Sequence, residues 1–146
     1  MKTKIHIWEL DQGGYHLTIH GKLMGQPVVL LIDTGANHSC FDRNFIAQLH
    51  EGNEVVTGRD EVNVGIGGSD FETLIAEVEQ LKIGRLTFPK MEVRLLDLQA
   101  VNDMYTTVGF SEIHGILGSD LLMRYHAVID FQNRQLILNK NRTRLH

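Results

Sequence analysis

Five apolar residues in a row, Val28-Val29-Leu30-Leu31-Ile32, run straight into Asp33. A strand with one wet face alternates polar and apolar side chains, so an unbroken run of this length reads as a strand buried on both faces. Pro27 opens it, at a strand end where a missing N–H does little harm. A carboxylate at the far end of such a strand is expensive, because an uncompensated buried charge costs several kcal/mol. Asp33 is therefore expected to have partners, and its neighbours suit that need. Gly35 lets the backbone come close and aim an N–H at a carboxylate. Thr34 offers a hydroxyl while its methyl packs. A carboxyl held rigidly in a semi-buried place is a candidate for chemistry. The plainer alternative is that Asp33 caps a turn and Gly35 supplies a positive φ.

The rest of the chain reads mainly as strands and turns. Tyr15, Leu17 and Ile19 alternate with polar residues, after a turn over Asp11-Gln12-Gly13-Gly14. Asp42 is a suitable N-cap for a short helix with Phe45, Ile46 and Leu49 on one face. Val62 to Ile66 alternates into a hairpin tip, Gly65-Ile66-Gly67-Gly68, with Phe71, Thr73 and Ile75 on the returning strand. A further hairpin is expected from Leu81 and Ile83 through a Gly84-Arg85 turn and on to Leu95. Residues 97–112 are expected as a loop with at most one helical turn. Ser119 suits the N-cap of a second short helix, with Asp120 in its first turn and Leu121, Leu122 and Tyr125 on its buried face. Ala127–Ile129 and Leu136–Leu138 read as the last two strands, joined near Gln132-Asn133. No linker and no fixed-period repeat interrupts this pattern, so residues 1–146 are expected to form one mainly β domain.

Composition narrows the partners. A net charge of −4 argues against nucleic acid or an anionic membrane surface as the main partner, since both call for a basic footprint. Cys40 is the only cysteine, which excludes an intramolecular disulfide and a cysteine-based zinc site. The longest apolar run is far too short to cross a bilayer, and the first ten residues have no apolar signal-peptide core. A cytoplasmic setting is the expectation. The eight histidines form no His-Glu-x-x-His, and neither a metal nor a cofactor is expected. His16 and His20 are expected as solvated residues on one strand face, and His38 as a loop histidine bonded to backbone. Cys40, without an electropositive setting, is expected as a small buried hydrophobe rather than a nucleophile.

Three motifs in order carry a resemblance. Leu30-Leu31-Ile32-Asp33-Thr34-Gly35-Ala36 is followed by the glycine-rich Val64-Gly65-Ile66-Gly67-Gly68, and then by His114-Gly115-Ile116-Leu117-Gly118-Ser119-Asp120-Leu121-Leu122. Over roughly residues 15 to 138 the chain resembles the retroviral-type (retropepsin-like) aspartic proteases, including the cellular retroviral-like proteases of the DNA-damage-inducible family. The resemblance implies an acid-protease barrel with a flap hairpin and one or two short helices. It implies Asp33, Thr34 and Gly35 as the catalytic motif, and Ala36, Gly65, Ile66, Gly67 and Gly68 as substrate-binding positions. The sequence departs from many viral members at the acid–arginine pair that braces their site, where it has Asn37 and Ser119. That brace is expected to be a neutral hydrogen bond or absent. Residues 98–113 are more numerous than in minimal viral enzymes and are expected as a surface loop rather than groove lining. Terminal strands of the family join the dimer sheet, so Leu136–Leu138 are candidates for that contact.

Peptide hydrolysis by carboxyls needs a pair, one to take a proton from water and one to donate to the carbonyl oxygen. The chain has one Asp-Thr-Gly; Asp130, the other candidate, is followed by Phe131-Gln132 and lacks the small residues that shape such a site. The second carboxyl is therefore expected from Asp33 of a symmetry mate in a homodimer. The expected activity is an aspartic endopeptidase acting on peptide or protein substrates without a covalent intermediate. The alternatives are a dimeric peptide-binding module of the same fold that does not cut, and a hydrolase of some other bond.

Overall fold

The computed structural model describes residues 1–50, 56–63 and 70–140. The chain forms β1 (Lys2–Lys4), β2 (His6–Leu10), β3 (Gly14–Leu23), β4 (Gln26–Ile32), β5 (Cys40–Asp42) and helix α1 (Arg43–His50). Next come β6 (Val56–Asn63), β7 (Asp70–Val78), β8 (Leu81–Ile83), β9 (Leu86–Thr87), β10 (Met91–Leu96) and α2 (Gln99–Thr107). The last elements are β11 (Gly115–Leu117), α3 (Ser119–Arg124), β12 (Val128–Asp130) and β13 (Gln135–Ile137). The fold is mainly β, as the alternating pattern predicts. A ten-stranded sheet runs β6-β7-β10-β5-β11-β4-β3-β8-β9 with β2 on β3, and a three-stranded sheet runs β1-β13-β12.

The hairpin of β3 and β4 sets the direction of the apolar run. Leu23 pairs with Gln26, leaving Met24 and Gly25 as a two-residue turn with φ of 49° and 79°. Paired positive φ values of this kind match the right-handed twist of the flanking strands. At its other end β4 is flanked by β11, parallel, with Leu117 opposite Ile32. On its far side β11 pairs antiparallel with β5. Two strands that follow one another in the chain are thus separated by a third from much later, and residues 33–39 arch across its end. Gly115 makes the insertion possible. A Cβ there would lie 2.6 Å from the Cys40 carbonyl oxygen and 3.0 Å from the Phe41 ring.

Burial of the apolar run on both faces has a concrete source. Val28, Leu30 and Ile32 enter the main core with Ile19, Leu81, Ile83 and Leu136, while Val29 and Leu31 pack on a second cluster of Trp8, Leu98, Tyr105 and Ile113. Tyr105 comes from α2, so residues 98–113 are not a surface loop: they form a helix and the cover over the second face of β4. The Trp8 ring meets Tyr105 edge-on at 5.0 Å and stacks on Phe110 at 4.9 Å. Asn102, buried, donates to the Ile113 carbonyl at 2.9 Å and accepts the Ile113 N–H at 2.8 Å. This pair fixes α2 to the segment that leads into β11 and leaves no buried polar group of Asn102 idle.

Other expectations hold or shift by small amounts. Asp42 caps α1, accepting the Phe45 N–H at 3.1 Å. The N-cap of α3 is Gly118 rather than Ser119, because the Ser119 hydroxyl turns away toward Ala36. β10 leaves the expected hairpin with β8 and instead pairs with β7 and, in parallel, with β5. β13 lies in the middle of its sheet with both edges filled, and Leu136 and Leu138 are buried in the main core. Among the described residues β1 and β12 are the edges of that sheet.

Candidate active site

Asp33 leaves β4 at the open end of the arch, half-buried, and the next two residues are exposed. Its N–H donates to the Leu117 carbonyl at 3.0 Å, tying the base of the arch to β11. The Gly35 N–H donates to Asp33 Oδ1 at 2.9 Å, the partner that glycine was expected to supply. The Ala36 N–H closes the turn on the Asp33 carbonyl at 3.2 Å. Asp33, Thr34, Gly35 and Ala36 therefore form one tight turn that aims the carboxylate out of the sheet. The Thr34 hydroxyl makes no bond within the chain among the described residues. Gly65, Ile66, Gly67 and Gly68 lie outside the described residues, between β6 and β7.

The arch is pinned from the far side by α3. The Ser119 N–H and hydroxyl both donate to the Ala36 carbonyl, at 2.8 and 2.9 Å, so the neutral brace runs from Ser119 to the backbone of the turn rather than to Asn37. Beside it is a charged anchor that the sequence did not disclose. Asp120 accepts the Ser39 N–H at 3.0 Å and the Ser39 hydroxyl at 2.7 Å. The same hydroxyl oxygen accepts the Gly118 N–H at 2.9 Å. Charge-assisted bonds of this kind are shorter and stronger than neutral ones, and here they fix the Ser39 end of the arch. Gly118 is held as glycine by the same closeness. A Cβ would sit 2.8 Å from the Ala36 carbonyl oxygen and 3.0 Å from the His38 carbonyl carbon.

Several candidates fall away from the carboxylate chemistry. Cys40 is buried, and burial pushes its thiol up to about 12, so the inert reading holds. Asp130 caps its own turn, accepting the Asn133 N–H at 2.9 Å and the Asn133 amide at 2.8 Å. His38 is exposed, with no side-chain hydrogen bond among the described residues, rather than bonded to backbone. It borders a cleft of about 470 Å³ that includes Ser39, Arg94, Asp120 and Arg124. His16 is half-buried rather than solvated, and its Nδ1 lies 2.6 Å from the Tyr105 hydroxyl. Burial, and then the charge of Asp33, hold the Tyr105 phenol above its ordinary value. Among the described residues no group of three or more His, Cys, Asp or Glu could hold a metal.

Comparison with known proteins agrees with this geometry. The aspartyl protease family matches residues 19–121, which include the whole of β4, the arch and β11. No curated protein matches the sequence. Two of the solved structures that match are both retropepsin-like. The retroviral protease-like domain of Ddi1 from Leishmania major has a TM-score of 0.57 at 18% identity, over 86% of this chain and 90% of its own. A retropepsin-like aspartic protease from Rickettsia conorii has a TM-score of 0.54 at 18% identity, over 94% of this chain and 87% of its own. The chain belongs to the aspartyl protease family, with the retropepsin-like fold.

Proposed function

We propose that the protein is an aspartic endopeptidase that works as a homodimer, with Asp33 of each chain supplying one of two carboxyls. The observation that carries the reading is the Asp33 turn, which presents a half-buried carboxylate that accepts the Gly35 N–H and is braced by α3. One chain presents one such carboxylate, and acid–base hydrolysis needs two. Two carboxyls at hydrogen-bond distance cannot both ionise, so they share a proton and titrate as a pair. The ionised member takes a proton from water as the water attacks the peptide carbonyl. The protonated member donates to the carbonyl oxygen, and the leaving amine is protonated as the tetrahedral intermediate collapses. In this dimer the exposed Thr34, whose hydroxyl is unpaired among the described residues, would link the two turns across the axis. Ala36 and the glycines at 65, 67 and 68, with Ile66, would meet the substrate.

Wild type and Asp33→Asn are to be incubated with a diverse peptide library between about pH 4 and 7, where a shared-proton pair can act. Cleavage by wild type alone is expected, strongest on the acidic side. Equal cleavage by both proteins would rule Asp33 out of the chemistry.

A further inference from the structure

Away from the Asp33 turn, one open face of the sheet collects positive charge in a chain whose net charge is −4. On β3, His16, Thr18, His20 and Lys22 share a face. α2 covers the first of these through Tyr105 and leaves His20 and Lys22 exposed. Lys22 stands directly opposite Lys82 of β8. Like charges in that position destabilise a sheet, and no carboxylate lies within ion-pair distance of either among the described residues. Further along the same edge of β3, the one away from β4, the His20 ring stacks on His6 of β2, with centroids 4.1 Å apart and planes 13° from parallel. Lys4 lies close enough to oppose a proton on His6. His20, Lys22 and Lys82, with Gly21 and Gly84, line a depression of about 420 Å³.

We propose that this row, Lys4, His6, His20, Lys22 and Lys82, is a docking site for an acidic peptide segment. Its carboxylates pair with the three lysines and relieve the Lys22–Lys82 repulsion. The row favours a peptide over nucleic acid because the negative charge of the whole chain opposes a long uniform polyanion. Lys22 lies opposite Pro27, six residues of β4 before Asp33, which places the row about 20 Å along the strand from that carboxylate. The site is therefore separate from the Asp33 turn and does not rest on the peptidase reading.

Burial, His20 and Lys4 together hold the His6 imidazole below its ordinary value. On the same face Lys22 follows His20 along β3 with Lys82 opposite it, while β4 presents the uncharged Pro27, Val29 and Leu31 on that side. A bound carboxylate must favour the protonated ring, so by linkage the His6 titration moves up when the site fills.

The test uses a fluorescein-labelled hexaglutamate peptide, read by anisotropy at low salt, with the imidazole titrations of the same protein followed by NMR. Binding is expected to weaken by about tenfold or more in Lys22→Gln/Lys82→Gln and to be unchanged in Arg43→Gln, an exposed base on α1. The double variant should melt no lower than wild type, since it removes a like-charge pair. The His6 titration should rise with the peptide present. Absence of binding, binding indifferent to the double variant, or stronger binding of a short DNA duplex in competition would each overturn the proposal.

Discussion

Ser39 is buried, and Asp120 accepts both its N–H and its hydroxyl. Replacing Asp120 with alanine strands two buried donors, and an unsatisfied buried group costs about 1–3 kcal/mol. Asp120→Ala is expected to lose about that much in chemical denaturation, and Asp120→Asn, which keeps an acceptor, distinctly less. Equal losses would mean that the carboxylate is not a brace. His114 carries a pH dependence. Its Nδ1 accepts the Val29 N–H at 2.9 Å, which only an imidazole unprotonated at that atom can do. Burial holds its titration below the ordinary 6.5, against the opposing pull of Glu112 and Asp42. The unfolded chain therefore binds this proton more readily than the folded one. The His114 contribution is complete above the ordinary value and is lost as pH falls from there through the lowered folded value. Thermal stability should fall between about pH 7 and 5 in wild type, and less steeply in His114→Asn, whose amide oxygen can keep the acceptor role. Parallel curves would dismiss His114. Asp33 and Gly35 could be read from the sequence because a carboxylate after a buried strand has no cheap local explanation. Ser39 and Asp120 could not, because each has an ordinary local reading, as a loop hydroxyl and a first-turn acid, and 81 positions separate them.

The elements divide along the same line. The strands β3 and β4, the hairpin of β8–β9 and the pair β12–β13 were legible, because alternation and turn residues are local signals. α2 was not. Its sequence, QAVNDMYTT, has no acid in its first turn, and its N-cap, Leu98, forms no side-chain capping bond. Val101, Thr106 and Thr107 are also poor helix formers. The helix forms because β4 has a second apolar face to cover, and Tyr105, Asn102 and Trp8 supply the contacts. Trp8 is the distant half of that arrangement, 97 positions before Tyr105 by residue number. Trp8→Ala is expected to cost about 3–5 kcal/mol, as truncation of a large buried aromatic does, and to raise amide exchange across residues 99–107 first. A small loss spread evenly over the chain would show that α2 stands without its second-cluster anchor.

Taken as a whole, the chain presents one Asp33 carboxylate, and the proposed pair takes its second from another chain. The ten-stranded sheet brings one Asp33 turn to its open end, and the brace from α3 holds that turn without help from another chain. Among the described residues β1 and β12 form the edges of the three-stranded sheet, and Val128 and Phe131 beside the latter are exposed. A second chain is an expectation that rests on the count of Asp-Thr-Gly motifs, whereas the strand order was not legible at all, because it is a property of the assembled sheet. Subunit mixing puts the proposed pairing to the test. Wild type and Asp33→Asn are mixed in varying proportion at constant total concentration, allowed to exchange, and assayed on a cleaved peptide. If both carboxyls are needed, activity follows the square of the wild-type fraction and falls to about one quarter at equal mixing. Activity that fell in simple proportion to the wild-type fraction would mean that one chain suffices.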